Sequence, residues 1–207
     1  MSKGMFITFE GIDGSGKSTQ AKALVETLKT KGVPCIWTRE PGGSKGAEAI
    51  RELLVEGDPD RWSPETEILL FNAARRDHFE KTIIPAIERG ETIVCDRFVD
   101  STRIYQGVAR ADLRKTVDII HETMIGREAD LTYIIDIDPE VALTRGLARN
   151  SGEDRFEDMG LQFQKDLRAG FLELAKRNTE RCKVIDGSQN MEDVGRDVLA
   201  VYESTRS

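Results

Sequence analysis

Eight consecutive residues, Gly11-Ile12-Asp13-Gly14-Ser15-Gly16-Lys17-Ser18, with Thr19 behind them, carry the strongest chemical signal in the 207-residue chain. Glycines at these spacings let the backbone curl so that several N–H groups point inward at phosphate oxygens. A helix starting at Lys17 adds the partial positive charge of its N-terminus at the same place. Lys17 is long enough to reach the β- and γ-phosphates of a nucleotide, and the Ser18 hydroxyl suits a Mg²⁺ ion. The segment satisfies the phosphate-binding-loop pattern and lies between a strand-like and a helix-like run, the context that gives the pattern its weight.

A second set of charges sits where apolar runs end. Arg39 and Glu40 follow one run, and Asp96 and Arg97 close another. Two guanidinium forks beside a phosphate cradle can grip a second phosphate bidentately, although strand-end arginines also serve as surface ion-pair partners. Asp96 is placed to hold a Mg²⁺-bound water or to cap the helix that follows. Phe71 and Arg75 are four apart on a predicted helix and share a face; spacing alone makes Phe71 a core residue.

Five nearly continuous apolar runs must position these groups: Met5–Glu10, Pro34–Thr38, Thr92–Asp96, Leu131–Ile137 and Cys182–Asp186. Such runs read as strands buried on both faces. Helical patterns separate them. Ala21, Leu24, Val25 and Leu28 repeat at helical spacing before a stop at Gly32. Ser63-Pro64 and Asp138-Pro139 are caps followed by proline at the first helical position. Pro85 is expected to kink or divide its helix, which Gly90 ends. Leu167, Phe171 and Leu174 mark a later helix, and Val194, Val198 and Tyr202 the last. Alternating strands and helices predict an α/β fold with a parallel five-stranded sheet, helices on both faces, and ligands at the carboxyl ends of the strands. No repeat or linker divides the chain, so residues 1–207 read as one domain.

Composition narrows the function. With 39% hydrophobic and 32% charged residues the chain is ordinary for a globular protein, and its formal charge of −7 argues against bulk nucleic-acid or anionic-membrane binding. No run of about 18 apolar residues predicts a membrane span. The start of the chain leaves no room for a secretory leader, and Cys35, Cys95 and Cys182 fit neither a zinc motif nor a disulfide scaffold, so reduced buried thiols and a cytoplasmic location are expected. No Asn-Lys-x-Asp guanine-reading motif is present, which disfavours a regulatory GTPase.

Taken in order, Glu10 to Ser18, then Arg39-Glu40-Pro41-Gly42-Gly43, then Asp96-Arg97-Phe98, the chain resembles the thymidylate kinase family of P-loop nucleoside monophosphate kinases, in its bacterial type. The resemblance implies transfer of the ATP γ-phosphoryl group to dTMP, with Mg²⁺, in a homodimer formed around Phe71 and residues 113–124. It assigns Arg39 and Arg97 to the acceptor 5′-phosphate, Phe71 and Arg75 to thymine, and Asp13 to the sugar 3′-hydroxyl. Ser101, Thr102, Tyr105 and Gln106 resemble further base and sugar contacts, with Tyr105 crowding a ribose 2′-hydroxyl. It also implies a cis bond before Pro41. Gly14 stands where some members carry a loop arginine, so catalytic charge is expected from a lid over residues 145–157, through Arg149 and Arg155; a solvated basic patch is the other reading of those arginines. Asp186-Gly187-Ser188 borders adenine or forms a plain turn. Rival functions are another monophosphate kinase or an ATP-dependent switch.

Overall fold

A computed structural model describes residues 4–56, 61–109, 113–147 and 160–206. Five parallel strands run β1 (Phe6–Glu10), β2 (Cys35–Arg39), β3 (Thr92–Asp96), β4 (Leu131–Asp136) and β5 (Cys182–Asp186), in the spatial order β2-β3-β1-β4-β5. Every residue of β1 and β3 is buried, because each strand has neighbours on both edges and helices on both faces. The edge strands are less covered: Val184 of β5 is exposed. All five predicted strands are present, with ends shifted by a residue at most.

One face is covered by α1 (Lys17–Thr30) and α9 (Met191–Arg206), whose Leu24, Leu28, Val194 and Val198 pack on Ile7, Phe9 and Tyr133. The opposite face carries α3 (Pro64–His78), α5 (Val99–Ala109), α6 (Arg114–Met124) and α8 (Gly160–Arg177). Helices α2 (Lys45–Val55) and α7 (Pro139–Leu147) lie beside these. Caps form where their residues predict: Ser63 Oγ accepts the Thr66 N–H at 3.2 Å, and Asp138 Oδ1 accepts the Glu140 N–H at 2.8 Å. Gly32 ends α1 at φ 74°, with the Val33 N–H returning to Leu28 O at 2.9 Å. All three cysteines are buried and free.

One element is unexpected, and an expected division takes an unusual form. Helix α2 is absent from the elements expected from sequence, although Ala47, Ile50 and Leu54 repeat at helical spacing and Ala47 and Leu54 are buried. Pro85 divides its helix through a wider turn: Phe79–Ile83 form a π-helical segment between α3 and α4 (Ile84–Glu88). Pro85 has no N–H to donate to the carbonyl four residues back and its ring needs room there, which a wider turn provides.

The connection after β1 feeds α1 on one face, whereas that after β3 feeds α5 on the other. The chain therefore parts at the carboxyl edge between these neighbouring strands, opening a crevice at the switch in strand order.

Candidate active site

A cavity of about 390 Å³ occupies that crevice. Gly14, Lys17 and Ser18 of the phosphate loop line it, together with Arg39, Arg97, Phe71 and Arg75. Ligand pockets of this size are typical for small molecules.

The loop takes its form from its glycines. Gly14 adopts φ 77°, and a Cβ there would stand 2.0 Å from Ala142 O, so no other residue fits. Lys17 is almost fully buried and turns back to Ile12 O and Asp13 Oδ1, both at 3.3 Å. Burial, with Arg97 nearby, lowers the Lys17 pKa against the opposing pull of Asp13 and Asp96. Ser18 is half-buried and Thr19 exposed. Gly11, Ile12, Ser15, Gly16 and Thr19 do not line the cavity.

Arg97 stands at the centre. It is the one non-glycine residue with positive φ among those described, at 68°. Its Nη2 donates to Asp13 Oδ1 and, at 3.1 Å, to the Tyr105 hydroxyl, which itself donates to Asp13 Oδ2 at 2.8 Å. Burial would raise the Asp13 carboxyl, but Arg97 and Lys17 hold it well below the usual carboxylate range. Asp13 is thus a charged bridge between the phosphate loop and the turn after β3. Arg39 lies level with Asp96 in the β2–β3 register and donates to Pro41 O and Glu48 Oε2, each at 3.1 Å. It is therefore both an ion-pair partner and part of the cavity wall.

The far wall is built from α3. Arg75 is 2% exposed; its Nε donates to Glu40 Oε2 at 2.7 Å and its Nη2 to Thr102 Oγ1 at 2.9 Å. Its Nη1 is buried with no partner, a donor held in reserve at the wall of a cavity. Glu40 also pairs with His78 Nδ1 at 3.0 Å, and Thr38 Oγ1 meets His78 Nε2 at 2.7 Å. The Glu40–Pro41 peptide is cis. Phe71 is half-buried on the cavity side, so it is a wall residue rather than a core one.

Asp96 lines the cavity with Oδ1 buried and unpartnered, whereas the N–H at the head of α5 goes to Glu10 instead: Phe98 N donates to Glu10 Oε1 at 2.8 Å. Asp96 Oδ1 accepts no N–H of α5. An unpartnered carboxylate oxygen on a residue that lines the same cavity as Ser18 fits a Mg²⁺ site of the kind that takes few protein ligands and keeps its waters. Among the described residues no cluster of three or more His, Cys, Asp or Glu could hold a metal, which that mode does not require.

Ser101 and Thr102, with Tyr105 one helical turn further along α5, line the wall. Gln106 does not line the cavity: its Nε2 donates to Glu67 Oε2 at 2.7 Å and its Oε1 is buried without a partner. Asp186 closes a turn by accepting from Ser188 N at 2.9 Å. Arg149 and Arg155 lie outside the described residues, as does most of the 145–157 lid; Arg145 is exposed. Sequence reasoning named Glu10 and Glu40 only as edge charges and missed Trp37, Arg51 and Leu54 on the wall. The Ser44 cap, which accepts from Ala47 N at 3.3 Å, is the signal that could have revealed α2 and hence Arg51 and Leu54.

Comparison with known proteins agrees with this geometry. The family model described as thymidylate kinase matches residues 9–198. The thymidylate kinase of Dinoroseobacter shibae is 64% identical over 197 residues, 95% of each chain. That of Ruegeria pomeroyi is 59% identical over 198 residues, 96% of this chain and 94% of the other. The crystal structure of thymidylate kinase from Ehrlichia chaffeensis superposes with a TM-score of 0.79 at 36% identity, covering 97% of this chain and 98% of that one. With the phosphate loop, the paired arginines and the α3 wall around one crevice, the chain belongs to the thymidylate kinase family.

Proposed function

We propose that this protein transfers the γ-phosphoryl group of ATP to dTMP, giving dTDP and ADP for DNA precursor synthesis. One observation carries the residue roles: the phosphate loop and both strand-end arginines line the same cavity as Phe71 and Arg75, whose buried Nη1 has no partner. Two phosphate-bearing ligands can then meet end to end while a ring is held at the far wall.

An acceptor phosphate oxygen attacks the γ-phosphorus as the bond to the β-phosphate oxygen breaks, so no protein nucleophile is required and positioning with positive charge does the work. Lys17 supplies charge to the donor phosphates, and Arg39 and Arg97 hold the acceptor phosphate. Phe71 stacks on thymine and Arg75 Nη1 donates to a ring carbonyl. Tyr105, tied to Asp13, narrows the space beside the sugar and disfavours a 2′-hydroxyl. Ser18 and Asp96 would hold Mg²⁺, which neutralises developing charge on the phosphates when bound. Arg149 and Arg155 remain assigned, by resemblance, to the transferring phosphoryl, since Gly14 leaves the loop without an arginine.

We further read the chain as one domain and as a cytoplasmic homodimer. No described helix is long and apolar enough to cross a membrane. Leu69 of α3 and Ile119 and Met124 of α6 are exposed apolar residues on helices that pack together, which supports a subunit interface there. Sedimentation at low micromolar concentration checks the dimer; a single 23.2 kDa species counts against it.

A coupled assay across nucleoside monophosphates tests the activity. Turnover is expected with dTMP. Rapid turnover of another monophosphate, with thymidylate and deoxyuridylate both inert, would falsify the assignment.

A further inference from the structure

Arg97 is held from the central strand at three points. Its own N–H donates to Phe9 O at 2.9 Å, and the next N–H, of Phe98, donates to Glu10 Oε1 at 2.8 Å. The other oxygen, Glu10 Oε2, receives the Ser101 hydroxyl at 2.6 Å, and Ser101 Oγ in turn accepts from Arg97 Nη1 at 2.8 Å. One carboxylate therefore fixes both the peptide after Arg97 and, through one serine, its guanidinium.

That arrangement answers a physical problem. A bulky residue at φ 68° is strained and persists only where its surroundings over-determine it. A long side chain aimed into a cavity must also be restrained in rotamer. Glu10 is 0% exposed, does not line the cavity, and spends both oxygens on these two bonds. Burying a carboxylate for packing alone is unfavourable. A structural strand end would be served as well by an apolar residue.

We propose that Glu10 is a positioning residue for the phosphoryl acceptor: acting through Phe98 N–H and Ser101, it locks Arg97 in the left-handed turn and aims its guanidinium at the acceptor phosphate. The inference rests on the acceptor-binding role of Arg97 proposed above. Glu10 itself touches no substrate.

The test is a double-mutant cycle on the full-length protein, with dTMP and ATP varied separately. Glu10→Gln keeps the shape and removes the charge. It is expected to lower kcat/KM for dTMP at least about tenfold, roughly the loss of one charge-assisted bond, with KM for ATP changed less than about twofold. Ser101→Ala should move the same parameter in the same direction. In an Arg97→Ala background both substitutions should lose most of their effect, because coupled residues are not additive. Equal effects with and without Arg97, or unchanged dTMP kinetics in Glu10→Gln, overturn the positioning role. If Glu10→Gln does not fold, Ser101→Ala in the two backgrounds decides by the same criterion. Arg97→Ala alone, with normal dTMP kinetics, sinks the acceptor reading of Arg97 instead, so the two failures are distinct.

Discussion

Glu40 receives the Arg75 Nε–H at 2.7 Å with neither side chain more than 4% exposed, so the residue proposed to read the ring is anchored by a charge beside the cis Pro41. A buried pair of this kind is weak evidence of net stabilisation, but breaking it leaves an uncompensated charge. Glu40→Ala is expected to cost about 3–5 kcal/mol in urea denaturation. Adding Arg75→Met should restore much of that stability while dTMP affinity stays poor. A double variant as unstable as the single one would show that the cost lies elsewhere.

Metal removal separates chemistry from folding. Chelation with EDTA should abolish turnover while circular dichroism stays unchanged, because the proposed Mg²⁺ ligands Ser18 and Asp96 line the cavity and the apolar core is built without them. Asp96→Asn keeps the size of the side chain and removes its charge, so the Mg²⁺ concentration for half-maximal activity should rise several-fold. An unaltered Mg²⁺ titration in that variant removes Asp96 from the site.

Gly14→Ala tests the loop itself. The added methyl meets the Ala142 carbonyl in a backbone conformation that L-residues avoid. The loop has to shift to accept it, and ATP affinity should fall at least about tenfold, the cost of a small misplacement at a phosphate site. Gly16→Ala makes a useful contrast, since its Cβ would meet nothing within 4 Å and only its φ of 90° opposes it. Titration with a non-hydrolysable ATP analogue checks both; tighter or equal binding in Gly14→Ala contradicts the steric argument.

Stability should depend on pH through two buried groups of opposite sign. Burial lowers the His121 pKa from its ordinary 6.5 to about 4, despite Glu128 at 3.5 Å. The unfolded chain takes up that proton near pH 6.5 and the folded chain only near 4, so stability is lost as pH falls through this window. Burial, then Asp100, raises Glu10 from 4.5 to about 7. The folded state keeps that proton longer, so this group reduces stability as pH rises from 4.5 to 7. His121→Leu should flatten the acid arm by up to about 3 kcal/mol between pH 6.5 and 4. Urea midpoints at four pH values measure it; an acid arm of unchanged slope refutes the assignment to His121.

The sheet was legible because its strands are buried on both sides and therefore read as unbroken apolar runs, each ending in charge. The phosphate loop was legible because its glycine spacing is set by geometry. The opposite wall was harder. Phe71 looks like core from spacing, and only a cavity beside it says otherwise. Helix α2 spreads its apolar repeat, Ala47, Ile50 and Leu54, over only 11 residues with Gly46 among them, a weak signal, so Arg51 and Leu54 came to the cavity unannounced. Glu10 and Glu40 appear in sequence as strand-end charges. Their partners, Ser101 and Arg75, are 91 and 35 positions away, and no local pattern links them. Gln106 marks the converse limit, a matching residue type whose side chain faces Glu67 rather than the cavity.

The π-helical turn at Phe79–Ile83 inserts one extra residue between the part of the helix that faces the crevice and the part that packs under β3. Each residue of an α-helix turns the axis by about 100°. Deleting one position from this segment would therefore not merely shorten a rod: with its lower end fixed beneath the sheet, the upper end would swivel, carrying Phe71 and Arg75 round to a different side. The bulge acts as a phase adjuster, allowing one continuous helix to serve two surfaces that an unbroken spiral could not address together.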